Sequence, residues 1–371
     1  MHISRRDFLN YGSGLALFAA MPTYVTAANN KSWLFSACSI KQQNFIFAMD
    51  LINKKSLFFE VSSRFHDITA NDDYAVFIAR RPGAVIKIMC LDTQSIIMTL
   101  RPGKNRHFFG HAIFSSDNRK LYATESIYAA DNLSAKGIIG VYDVQQAFRK
   151  IKEIDLDSFG PHQLTLVSGR QIIAVAIGGI HTHPRQKRKK LNKDSFESSL
   201  IYIDENNFSI INKIPCEIPQ LSLRHLCVDN RGNHSSIIIS GQYEGYDTAP
   251  PLLYEHDVFQ GKKLMPFESE LPIWSMHEGY IGSVAIDHIG QKILASSSRG
   301  DLISVWDLTS RQLLKTIYLK DVSGVSFSKH FTQFVISNGL GEMYRLDPKK
   351  YELSLLQRKA HLQWDNHLMT V

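Results

Sequence analysis

The chain has 371 residues, 44% hydrophobic and 21% charged, with a formal net charge of +7. That balance suits a globular protein and excludes a disordered or collagen-like one. The positive excess is local: residues 1–27 carry one net positive charge, the segment Arg185 to Lys193 carries six basic side chains and no acidic one, and the remainder is neutral. One basic loop on a neutral body, with no periodic aromatic platform beside it, argues against a nucleic-acid-binding surface.

From the N-terminus, Ser4-Arg5-Arg6-Asp7-Phe8-Leu9-Asn10 matches the twin-arginine export pattern, with Asn10 replacing the usual Lys. A short apolar segment, Gly12 to Met21, and the small-residue cleavage site Val25-Thr26-Ala27 complete the signature. Residues 1–27 are therefore expected to be a signal peptide, and residues 28–371 a periplasmic, monomeric domain with no transmembrane segment after cleavage. Because that route carries folded proteins, a ligand can be loaded before export.

Seven times an apolar stretch then runs into an aspartate: Asp50, Asp92, Asp143, Asp204, Asp257, Asp307 and Asp347, at gaps of 42, 51, 61, 53, 50 and 40 residues. This period, with strand-like residues before each Asp, predicts an all-β, seven-bladed β-propeller of the WD-repeat or YVTN-like kind. Each Asp is expected to turn the chain into the next hairpin by bonding its own backbone. Blade one reads as Trp33–Ser39, Asn44–Asp50 and Ser56–Val61, one strand short. The tail Gln363-Trp364-Asp365-Asn366-His367-Leu368-Met369 is one strand long, and is expected to close the ring on blade one and hide its edge. Cys38, Cys90, Cys216 and Cys227 show no paired spacing and read as small core residues.

His66, His111, His162, His225 and His367 each stand at or near the start of a predicted innermost strand, where blades six and seven have Ser283 and Gly324. Innermost strands line the channel, so the five imidazoles can converge at one mouth. Two readings stand side by side. Several His with a carboxylate, for which Glu125 is the candidate, make a site for iron, copper or zinc. Alternatively, each His is a clasp between blades, as the Gly-His pair of WD-repeat blades is used. Arg81 and Arg224 can orient an anionic ligand, or pair with Asp67 and Glu125. Gln242 and Tyr243 lie between glycines in Ser240 to Gly245, and His181 and His183 open the basic loop, which reads as solvated or as a contact for anionic headgroups. No nucleophile motif or phosphate-cradling loop is present.

Ala79-Arg80-Arg81-Pro82-Gly83, Arg106-His107-Phe108-Phe109-Gly110-His111, Thr124-Glu125, Gly160-Pro161-His162, Thr182-His183-Pro184, Leu223-Arg224-His225-Leu226, Gln242-Tyr243 and Tyr280-Ile281-Gly282-Ser283 carry a further likeness. In order and spacing they resemble the domain-of-unknown-function family fifteen-thirteen, over essentially the whole mature chain. The resemblance implies an exported propeller, of a kind encoded beside imelysin-like and di-haem peroxidase-like proteins linked to iron acquisition, and hence such a periplasmic partner. The ligand-binding set on these motifs is His66, Arg81, His107, Glu125, His183, Arg224, Gln242, Tyr243 and His367, around a metal set of His111, His162 and His225. The chain departs from the family at Asp67, Lys189 and Ser199, where a glycine-rich turn, an acidic residue and a proline are usual. The expected function is a periplasmic ligand-binding propeller associated with a transition metal. Its alternatives are a metal-dependent enzyme of the lactonase or quinoprotein-like kind, and an interaction scaffold with structural histidines.

Overall fold

The computed structural model describes residues 32–371 except 168, 230–234, 288 and 290; the twin-arginine segment lies outside the described residues. The rest is seven four-stranded antiparallel sheets, one per blade. Among the described residues the only α-helix is the single turn Ile273–Met276, and no helix is long and apolar enough to cross a membrane.

The repeated aspartates do what their position predicts. Asp50 Oδ1 accepts from the backbone N–H groups of Ile52 and Asn53 at 2.9 and 3.0 Å. Asp204, Asp257, Asp307 and Asp347 make the same pair of bonds to the second and third residues beyond them. The carboxylate substitutes for a carbonyl at the end of the third strand and fixes the turn into the fourth. Between blades the faces are apolar, with Phe35, Phe47, Phe77, Phe108 and Trp306 wholly buried.

Ring closure is by the tail. Leu362–Thr370 pairs antiparallel with Trp33–Ile40, so the chain end supplies the innermost strand of blade one. Trp364 and Leu368 are buried in a cluster with Leu34, Phe47 and Val335, and the Trp364 ring meets that of Phe47 at 4.9 Å.

The inner strands share one irregularity. In six of the seven, pairing with the second strand slips at the same level: at Phe65/Asp67, Phe108/Ala112, Pro161/Leu164, Leu223/His225 and Val322/Val325, and in Leu362–Thr370 opposite Ser36/Cys38. Only Ser283–Asp287, in blade six, pairs without interruption. A bulge re-aims the side chains beside it. Here it turns a ring of residues toward the axis. None of the four cysteines is bridged; Cys38 is buried, Cys216 and Cys227 are half-buried and pack against the core, and Cys90 is half-buried.

Candidate functional site: a histidine layer beneath an arginine-lined recess

Five of the bulges carry a histidine. His66, His111, His162, His225 and His367 come from blades two, three, four, five and one, and all are buried. His111 is the hub: its ring centroid lies 4.9, 4.5, 5.7 and 5.2 Å from those of His66, His162, His225 and His367. The layer is not at a mouth, as the sequence suggests, but inside the channel. His66, His162 and His225 face a recess on one side, and Asp67, His225 and His367 face the channel on the other.

Gly110 makes room for this crowding. It sits at φ +111°, and a Cβ there would stand 2.9 Å from His66 Cδ2. Gly110→Ala is therefore expected to cost about 1–3 kcal/mol, from backbone strain and displacement of the His66 ring. Chemical denaturation measures it; a change within 0.5 kcal/mol would mean that the ring yields freely.

Burial is the main force on the imidazoles of His66, His162, His225 and His367. It holds His66, His162 and His225 well below the usual histidine range, helped by neighbouring imidazoles and, nearby, arginines. It brings His367 to about 4, against the opposing pull of Asp67. Asp67 shows the reverse balance: burial pushes its carboxyl up, but the charge and hydrogen bond of His111, with His367, hold it below the usual range.

The hydrogen bonds decide which nitrogens are free. His111 Nδ1 donates to Asp67 Oδ2 at 2.8 Å, and His225 Nδ1 donates to Gln163 Oε1 at 3.2 Å. In the neutral rings that leaves Nε2 of each with a lone pair. His66 Nδ1, His111 Nε2, His162 Nδ1 and His367 Nε2 are buried without a hydrogen-bond partner. Both bonds made by the layer join neighbouring blades, three to two and five to four, but they run to side chains rather than to the backbone and engage only two of the five rings. In blade six Ser304 Oγ bridges His277 Nε2 and Trp306 Nε1, at 2.8 Å from each, outside the layer.

Two histidine triads can hold a metal ion: His111, His162 and His225, and His66, His111 and His367, with ligand atoms in each within 4.8 Å of one another. Tetrahedral bonds of ~2.0–2.1 Å put donor nitrogens about 3.4 Å apart, so an ion would draw the rings slightly inward. Asp67 behind His111 orients that ring and fixes its tautomer, as a carboxylate does behind a metal-ligating histidine.

Other expected residues fall elsewhere. Glu125 is not the carboxylate of the cluster. It lies on Lys120–Tyr128, the second strand of blade three, and is buried between Tyr142 Oη at 2.6 Å and Lys150 Nζ at 2.8 Å. Tyr243 faces away from the recess and bonds Asp247, because its neighbour Gln242 takes the inward face. His183 has both ring nitrogens engaged, Nε2 with the Ala129 carbonyl at 3.0 Å and Nδ1 with the Arg185 N–H at 3.2 Å, and caps the 3-10 turn Pro184–Gln186. His107 bonds the Phe108 carbonyl through Nδ1 and stacks on Phe109, off the layer; burial brings it to about 4.

The basic loop is not simply solvated. Lys190 pairs with Glu244, Lys193 Nζ reaches Tyr246 Oη at 2.8 Å, and Arg188 joins the recess wall. That wall also holds Arg80, Arg81, Arg224, Gln242, Tyr280, Asn366 and Phe109, around about 430 Å³ counted with its open mouth. Neither arginine pairs as the sequence suggests: Asp67 is taken by His111 and Glu125 is remote. Arg80, Arg188, Tyr280 and Asn366 also line the recess, although none was among the expected ligand-binding residues. The adjacency of Arg80 to Arg81, and of Asn366 to His367, was the available signal.

No curated protein matches the chain. Among solved structures, the chain is similar to hydrazine synthase of Kuenenia stuttgartiensis, at 12% identity and a TM-score of 0.56, over 86% of this chain and 92% of that one. Likeness at that identity speaks for the propeller fold alone. The sequence places the chain more closely, since a family model matches residues 59–371, and the protein belongs to the family described as "Protein of unknown function (DUF1513)".

Proposed function

We propose that the protein is an exported ligand-binding propeller that holds one transition-metal ion, of the iron, copper or zinc kind, in its histidine layer. The observation that carries this is the set of buried imidazole nitrogens without partners around His111. Orphaned polar atoms in a core are costly, and a cation satisfies several at once. An all-imidazole set backed by a carboxylate suits borderline metals; calcium and magnesium want oxygen. His111 offers one free nitrogen, because the other is held by Asp67, so the two triads that share it compete for a single ion.

Elemental analysis of protein purified from its native compartment, followed by titration of iron, copper and zinc into the metal-free protein, tests this. One ion per chain is expected; absence of binding to any of the three refutes the reading. The family resemblance adds a place beside iron-handling or haem-bearing partners in the periplasm. Export is expected to depend on Arg5 and Arg6: with both changed to Lys, the precursor accumulates in the cytoplasm, whereas normal periplasmic accumulation would rule out the twin-arginine route.

A further inference from the structure

The recess above the histidine layer presents a second unsolved balance of charge. Arg224 is buried and Arg81 half-buried, yet the buried atoms Arg81 Nη1 and Arg224 Nε and Nη2 have no hydrogen-bond partner. Arg224 Nη2 approaches Glu244 Oε1 only to 3.9 Å, and that glutamate is bound by Lys190 through its other oxygen. Asp365, the other carboxylate near the rim, is engaged by Arg64. Arg80 and Arg188 add two more guanidiniums to the same wall. Burial, with Arg224, Arg188 and Arg80 crowding it, pushes the Arg81 guanidinium well down from its ordinary value, and burial brings Arg224 to about 10 despite Glu244.

A guanidinium out of water without a counter-charge is among the most expensive arrangements in a protein. Arg81 lies over the Phe109 ring, with Cζ 5.1 Å from the centroid, and lines the recess. A guanidinium fork is shaped for two oxygens of one anion. Tyr280 and Gln242 stand on the same wall, and the Tyr280 hydroxyl already accepts from Asn366 Nδ2 at 2.8 Å, which leaves its proton free to donate.

We propose that this recess binds a small oxyanion, a carboxylate or an inorganic oxyanion such as phosphate, gripped by Arg81 and Arg224 and lying directly over His66, His162 and His225. The proposal does not need the metal, because the guanidinium N–H groups of Arg81 and Arg224 lack a hydrogen-bond acceptor whether or not the layer is filled. If both sites are filled, the anion lies on the ion's open side. Each then strengthens the other's binding by the same factor.

The test uses metal-free full-length protein, so its failure leaves the metal reading standing, and failure of the metal titration leaves this one standing. Phosphate, sulfate, oxalate and malonate are titrated calorimetrically and by thermal shift, against chloride at equal ionic strength. At least one is expected to bind saturably and raise the melting temperature, and the response to carboxylates against phosphate and sulfate tells which source fits. Arg81→Met is expected to weaken that oxyanion at least tenfold. It should also leave the anion-free protein as stable as wild type or more so, since it removes an uncompensated buried charge, whereas loss of a structural arginine would lower stability. Should Arg81→Met not fold, Arg224→Gln is read the same way for binding. The proposal is overturned if no oxyanion acts beyond chloride. It is overturned equally if the variants bind it as tightly as wild type, which would mean an adventitious ion only.

Discussion

Deletion of the chain from Gln363 onward is expected to remove most of the protein's stability. The lost strand pairs with Trp33–Ile40 and carries Trp364 and Leu368, both buried against blades one and seven. Burial of such side chains is worth roughly 1.5–3 kcal/mol each, before the ladder hydrogen bonds and the exposed edge of Trp33–Ile40 are counted. The sum approaches the ~5–15 kcal/mol by which whole domains are stable. The truncated protein should therefore melt far below wild type or fail to accumulate in folded form. An unchanged melting temperature would mean that blade one is complete with three strands.

The second large effect concerns metal affinity and follows from the shared position of His111. His111→Ala breaks both triads, and should weaken the tightest-binding of iron, copper and zinc by at least about 100-fold, the upper end of what loss of a mere orienting partner costs. Adding His162→Ala should then change little. His66→Ala alone should spare the His111, His162 and His225 set, and His225→Ala alone should spare the other. Independent clasps would behave differently, each substitution costing roughly 1 kcal/mol of stability, additively and with no effect on metal. Titration of wild type, the single variants and the double variant separates the cases. Wild type that binds no metal more tightly than the double variant would refute the site.

Much of this was legible because it is periodic. The Asp spacing counts blades, and the missing strand of blade one and the spare strand at the tail point to each other. The five histidines could be placed on the channel because each falls in an innermost strand, although only His66 and His162 stand at its start and His111, His225 and His367 lie in mid-strand. What could not be read is the bulge. An extra residue inverts the alternation of faces, so sequence parity alone does not say whether His66 or Asp67 looks inward, and Asp67 reads there as an arginine's partner and a departure from a family pattern rather than as the partner of His111. Glu125 was misplaced because it sits on a second strand, which faces the neighbouring blade, although its motif lies close to His111 in sequence. The grip of the basic loop on Glu244 and the recess is a long-range contact with no local pattern to announce it.

The inner strands also impose an order on assembly. His111, His162 and His225 belong to three consecutive blades and need only short loops to be closed before they meet. His66 and His367 lie far apart along the chain, and His367 is on the strand that closes the ring. A growing chain can thus present a complete triad while the ring is still open, whereas the other triad exists only after the ends have joined. If metal binds in the middle blades, capture can come before closure, and joining the ends is then a separate, later step.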